Sequence, residues 1–100
     1  MLIIAGHIRI DPASHDAAVA AANEMMTETH KEKGCEAYTF SADFTDPGRF
    51  YLFERWESQS ALDAHFTAPH MARFQAAFGK LGVREMDVKK YTVSGVGPVR

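Results

Sequence analysis

The chain has 100 residues, 46% of them hydrophobic and 24% charged, and 11 basic against 13 acidic side chains give a net charge of −2. One folded domain fits this length and composition, and the charge lacks the basic excess expected of a protein that binds nucleic acid or an anionic membrane. No apolar run is long enough to span a bilayer either. From the charge and the lack of such a run, we expect neither nucleic acid nor a membrane as a partner.

The first half of the chain switches between two hydrophobic periods. Residues 2–10 alternate with a period of two, which predicts a strand. Residues 14–33 are rich in alanine and carry apolar side chains at helical spacing, which predicts a long helix with Gly34 at its C-terminal cap. Residues 36–43 return to the strand period.

A turn and a second strand–helix segment follow. Thr-Asp-Pro-Gly at 45–48 has the residues that a tight turn requires. Residues 50–56 are apolar on both faces, which predicts a strand buried on both sides. Residues 58–68 predict a helix, and Pro69 fits the first turn of another helix over residues 69–80.

Residues 84–93 predict the last strand, and the Gly- and Pro-containing residues 94–100 predict a flexible tail, so the domain spans residues 1–93. The order strand, helix, strand, strand, helical segment, strand is typical of the ferredoxin-like βαββαβ pattern of α+β proteins. We expect a four-stranded antiparallel sheet with the helices on one face and the first and third strands in the centre.

The helices can cover only one face of this sheet. We expect the other face to carry Ile3 and Ala5 together with aromatic side chains from the second and third strands. A bare apolar face of that size is unusual on a soluble monomer. We therefore predict a homodimer that packs sheet against sheet around a cavity, and we leave open which sheet face lines the cavity.

Cysteine and histidine usage bears on location and metals. Cys35 is the only cysteine, so no internal disulfide forms, and a reducing, cytoplasmic location is expected. The N-terminus lacks the basic flank and apolar core of a secretory signal. No zinc-type ligand set is present, and the five-residue spacing of His65 and His70 does not place both on one helix face, so no metal site is predicted.

A set of short motifs resembles the antibiotic biosynthesis monooxygenase family. The motifs are Glu-Arg-Trp-Glu-Ser at 54–58, Leu-x-x-His at 62–65 and Pro-His-Met at 69–71. Glu-Lys-Gly-Cys-Glu-Ala-Tyr at 32–38 and Ile-Ala-Gly-His-Ile at 4–8 are similar to the entry into that family's second strand and to its first strand. Within the family, the likeness is closest to small bacterial quinol monooxygenase-like proteins.

The resemblance covers residues 2–93 and implies a dimeric α+β barrel. It implies the reaction less specifically, because some members oxygenate quinols or anthrone-like polyketides without metal or flavin, others degrade heme, and a few isomerise phosphorylated sugars. Heme-degrading relatives carry an Asn near the position of His7, so this chain departs from them. No phosphate-cradling Gly-rich loop or Arg cluster supports a phosphosugar substrate.

His65, Glu54 and Trp56 are the candidate catalytic residues. His65 shares a helix face with Leu62 and has a suitable ordinary pKa to take a proton from a phenol. Glu54 would orient His65 or act as a base itself. The resemblance maps Trp56 onto a Trp that borders the cavity in several relatives, where an indole suits stacking on a quinone-like ring. The alternatives are a core histidine, a structural carboxylate and plain packing.

Four further residues are candidates for substrate binding. His7 would be a second proton donor or acceptor if its face of the first strand lines the cavity. The aromatic side chains of Tyr51, Phe53 and Phe74 would form cavity walls, with ordinary core packing as the alternative.

The sequence therefore predicts a cofactor-independent monooxygenase of small electron-rich aromatics, such as a hydroquinone. This chemistry requires a base, a dry aromatic pocket and room for oxygen, because a phenolate can itself pass an electron to dioxygen. The alternative is a non-catalytic dimeric module of the same fold that binds or senses a small ligand.

Overall fold

The computed structural model describes residues 1–100 and has four strands and three α-helices. In chain order they are β1 (Leu2–Arg9), α1 (His15–Thr29), β2 (Cys35–Ala42), β3 (Arg49–Trp56), α2 (Gln59–Phe66), α3 (Pro69–Phe78) and β4 (Glu85–Thr92). A short 3₁₀ turn, Pro12–Ser14, precedes α1. Every predicted element is present, and no boundary differs by more than four residues. Residues 93–100 form no helix or strand, and none of the helices is long and apolar enough to cross a bilayer.

Helix α1 ends at Thr29, earlier than its hydrophobic period predicts. The backbone tightens here because Lys31 and Glu32 donate to carbonyls three residues back, those of Glu28 and Thr29. Gly34 then adopts a φ of +85°, in the left-handed region that favours glycine. Glu32 lies in this tightened turn, and its carboxylate belongs to the site described below.

The sheet is antiparallel with the order β2-β3-β1-β4, so β1 and β3 occupy the centre as predicted. One row of side chains crosses all four strands: Tyr38 lies opposite Glu54, Glu54 opposite Ile4, and Ile4 opposite Lys90. We call these four residues the Glu54 row.

The helices pack on a single face of the sheet, and the core lies between the two layers. Alternate side chains of strand β3 point to this face and lie in the core. Ser58 accepts a hydrogen bond from the N–H of Ala61, which fixes the start of α2. The main buried cluster consists of Leu2, Met25, Tyr38, Leu52, Trp56, Leu62 and Met71. Glu54 and His65 are also buried in this layer, although both side chains are polar.

The opposite face of the sheet is uncovered. It exposes Tyr51 (41%), Phe53 (40%) and Tyr91 (52%). The expectation that the second strand also contributes aromatic side chains to this face is wrong. Its register places Tyr38 opposite Glu54 and Phe40 opposite Leu52, so both rings face the helices.

Gly6 allows β1 and β4 to approach closely. A Cβ atom at this position would lie 1.9 Å from the carbonyl oxygen of Asp87 in β4. We expect Gly6→Ala to lower the free energy of unfolding by about 2 kcal/mol or more, because backbone must move to relieve the overlap. Urea unfolding measures this. Gly79→Ala is the matched control, since its nearest atom is 3.6 Å away; equal midpoints for the two variants would contradict the close approach.

Candidate active site

A cavity of about 550 Å³ lies between the sheet and helices α2 and α3. This volume is in the range of sites for small organic ligands. Its wall is mostly apolar, with Ile4, Leu52 and Val88 from the sheet facing Leu62 and Phe74 from the helices. The polar and charged residues on its wall are Glu54, Gln59, His65, Gln75, Lys89 and Lys90.

Three titratable side chains meet at His65, which is the one of the three that lies on the cavity wall. His65 is 1% exposed, and its Nδ1 lies 2.6 Å from Oε2 of Glu32. The same oxygen lies 2.8 Å from Nε2 of His70. Both imidazoles can donate to the carboxylate, which makes a His–Glu–His network from the turn after α1, from α2 and from α3.

The break between α2 and α3 brings the two histidines together. Pro69 begins α3 in a new direction, so His70 points back toward the carboxylate that His65 contacts. In the sequence, the five-residue spacing of the two histidines does not place both on one helix face. That expectation applies to a single helix, whereas His65 lies on α2 and His70 on α3. Neither Glu32 nor His70 was among the predicted site residues, although both occur in the motifs of the family resemblance.

The network has the geometry of hydrogen bonds. The ligand atoms of Glu32, His65 and His70 lie within 4.8 Å of one another, and carboxylate and imidazole are ligand types for divalent metals. Two ligand atoms about 2.1 Å from a tetrahedral zinc lie roughly 3.4 Å apart. The oxygen of Glu32 is closer than that to both nitrogens, so these residues are not arranged around a metal-sized space.

Glu54 forms a second buried polar contact. Its Oε1 accepts a hydrogen bond from the indole N–H of Trp56 at 2.8 Å. The pKa of Glu54 is raised to about 7, mainly by burial; the Trp56 hydrogen bond lowers it, and the charge of Glu32 adds a smaller rise. Burial also raises the pKa of the neighbouring Tyr38 phenol, which therefore stays neutral near neutral pH.

The structure brings some predicted site residues together at the cavity. His65, Glu54 and Phe74 lie on its wall. Trp56 is fully buried behind the wall, its ring centroid 4.8 Å from that of His65, so the prediction of a stacking surface for substrate is corrected. The carboxylate that orients His65 is Glu32 rather than Glu54, which is hydrogen-bonded to the indole.

The other three predicted substrate-binding residues do not line this cavity. His7, Tyr51 and Phe53 lie on the uncovered face, because alternate side chains of a strand point to opposite faces. His7 lies 3.2 Å from Glu85, and the Tyr51 hydroxyl donates to Asp43 at 2.7 Å. The cavity of the chain is therefore under its helices, and a cavity between two sheets is not needed to form it.

The comparisons with known proteins agree with this fold. Residues 1–77 match the antibiotic biosynthesis monooxygenase family, and the chain belongs to that family. It is 36% identical over 77 residues to "Putative monooxygenase Rv0793" of Mycobacterium tuberculosis, covering 77% of this chain and 75% of that protein. It is 29% identical over 99 residues to "Probable quinol monooxygenase YgiN" of Escherichia coli, covering 89% of this chain and 94% of the relative.

Solved structures show the same architecture. The Rv0793 structure has a TM-score of 0.79 at 30% identity and covers 99% of this chain and 97% of its own. A family structure from Deinococcus radiodurans has a TM-score of 0.90 at 22% identity, covering 100% and 99%, which supports the fold. The chain spans 63% of the length of the uncharacterized Synechocystis protein sll1783, to which it is 28% identical over 93 residues. Family and relatives together support a monooxygenase-like function.

Proposed function

We propose that the protein is a monooxygenase of small electron-rich aromatics and that His65 is its general base. The observation that carries this proposal is the contact of His65 Nδ1 with Glu32. It leaves Nε2 without a protein partner, on a residue of the cavity wall. The His65 side chain is almost fully buried, and the cavity is the space that its ring borders.

The carboxylate of Glu32 selects the form of His65 that can act as a base. A carboxylate accepts a hydrogen bond from Nδ1–H, so the neutral ring carries its lone pair on Nε2. The same carboxylate stabilises the imidazolium that forms when Nε2 takes a proton from a phenol. His70 holds Glu32 in place from the other side.

The overall reaction requires no external reductant. A hydroquinone (C₆H₆O₂) and dioxygen give a hydroxyquinone (C₆H₄O₃) and water. One of the two atoms of dioxygen enters each product. The aromatic loses four electrons and dioxygen gains four. Proton removal by His65 makes the more electron-rich phenolate, and the apolar wall excludes bulk water from the reduced oxygen species. Glu54, with a pKa of about 7, is the second group that can hold or give a proton here.

An oxygen electrode tests the proposal with 1,4-dihydroxynaphthalene and a series of simple hydroquinones as substrates. We expect oxygen consumption above the protein-free rate, with one dioxygen consumed per quinol, and the same rate after treatment with EDTA. No consumption above that background would contradict the oxygenase. If the same compounds then raised the melting temperature, the ligand-binding alternative would be supported.

We also propose that the uncovered sheet face is the interface of a homodimer. The aromatic side chains exposed on this face support the proposal, since they are 40 to 52% exposed: Tyr51, Phe53 and Tyr91. Ile3 and Ala5 lie beside them on the same face. Large exposed apolar patches are rare on soluble monomers and common at interfaces between copies.

Phe53→Glu tests this interface. We expect sedimentation equilibrium to give twice the chain mass of 11.1 kDa for the wild type and the mass of a single chain for the variant. The new charge would be buried without a partner in the dimer and hydrated in the monomer. Phe66 on α2 exposes a similar ring on the other side of the molecule's sheet. Phe66→Glu is therefore the control and should remain dimeric. A monomeric wild type would contradict the proposal.

A further inference from the structure

The cavity wall carries one ammonium group that is not neutralised. Lys90 donates to the side-chain oxygen of Gln59 at 2.8 Å and forms no ion pair. Its neighbour Lys89 is bound to Asp87, which shares the other face of β4. Lys90 thus offers a positive charge at the β4 end of a mostly apolar cavity.

Two spacings fix how far this charge lies from the proposed base His65 and from Glu54. Lys90 bonds Gln59, which precedes His65 by six residues on α2, or about 9 Å along the helix at 1.5 Å per residue. Glu54 is in β3 and Lys90 is in β4, with Ile4 of β1 between them. Neighbouring strands are about 4.8 Å apart, so the two backbone positions are separated by about 10 Å. The Glu54 row therefore presents a carboxyl group at one end, an apolar surface in the middle and a cation at the other end.

We propose that the natural substrate is an aromatic acid whose hydroxyl and carboxylate lie at opposite ends of the ring system. This inference rests on the proposed function, because the hydroxyl is the group that His65 deprotonates. The rings lie over Ile4 in the apolar part of the cavity, and the carboxylate binds the Lys90 ammonium, which Gln59 holds through its side-chain oxygen. A carboxylate at this position receives charge-assisted hydrogen bonds that a neutral aromatic cannot form.

Isothermal titration calorimetry with 6-hydroxy-2-naphthoate and 2-naphthol tests the proposal. The two probes share the rings and the hydroxyl and differ in the carboxylate, and neither is a hydroquinone. We expect the acid to bind the wild type about tenfold more tightly at low ionic strength, where a charge near the cavity entrance is least screened. Lys90→Met should remove this preference and leave 2-naphthol binding unchanged. Lys80→Met, at an exposed lysine outside the cavity wall, is the matched control and should keep the preference.

Three results would overturn the inference. They are equal affinities of the wild type for the two probes, a preference that persists in Lys90→Met, and no binding of either probe. The proposed oxygenase fails separately, through the absence of oxygen consumption with 1,4-dihydroxynaphthalene. A Lys90-dependent preference without oxygen consumption would leave acid recognition standing and remove the oxygenase, and oxygen consumption with equal affinities would do the reverse.

Discussion

Replacing His65 with Gln is expected to lower kcat for oxygen consumption by about two to three orders of magnitude, in the range of general-base catalysis. Gln keeps much of the volume of the imidazole, and its amide can still donate to Glu32, but it cannot take a proton from a phenol. KM should change little, because the apolar wall remains. Initial rates against quinol concentration separate the two parameters.

Two further variants sharpen this test. Glu32→Gln should also lower kcat with little change in KM, because an amide neither selects the reactive tautomer of His65 nor stabilises its imidazolium. His15→Gln is the matched control, since His15 bonds the carbonyl of Pro47 and lies outside the cavity wall. Wild-type kcat in His65→Gln would remove this residue from the mechanism.

Glu54→Gln is expected to remove a pH-dependent loss of stability. The pKa of Glu54 is raised from 4.5 to about 7 by burial, so the folded state binds this proton more tightly than the unfolded state does. The stabilisation is therefore complete below pH 4.5 and is lost as the pH rises through 7. The raised pKa corresponds to about 3 kcal/mol.

Urea unfolding of the wild type and of Glu54→Gln between pH 4.5 and 8 measures this effect as the difference between the two curves. The wild type should lose stability relative to the variant as the pH rises. The amide oxygen can still accept the Trp56 N–H, so the variant should fold. Glu57→Gln, at an exposed glutamate, is the control and should follow the wild type. Parallel curves for Glu54→Gln and wild type would contradict a carboxyl that is protonated in the core.

The sequence is enough to predict the elements and their arrangement because both depend on local patterns. The change from period two to period 3.6 and back sets the element order, and right-handed connections then leave β1 and β3 in the centre. The covered face was harder to predict. Strand β3 is apolar on both faces, because Leu52 lies on one face and Phe53 on the other. Periodicity alone therefore does not show which face the helices cover.

The His–Glu–His network could not be derived from spacing. It depends on the tightened turn that presents Glu32 after α1 and on the change of direction at Pro69 that turns His70 toward His65. Neither feature has a hydrophobic period. His65 itself was found because it follows Leu62 on the inward face of α2, which is a local pattern. The sequence suggests Glu54 as the partner of His65, because α2 follows the strand that carries this carboxylate. In the structure, Glu54 instead accepts the indole N–H of Trp56.

Isotopic labelling tests most directly the central claim that an aromatic bound under the helices receives one oxygen atom from dioxygen. The protein would be incubated with 1,4-dihydroxynaphthalene under ¹⁸O₂, and the product analysed by mass spectrometry. We expect one ¹⁸O atom in each hydroxyquinone molecule, and a rate that falls in His65→Gln. Formation of unlabelled quinone with hydrogen peroxide would show simple two-electron oxidation and would contradict the account.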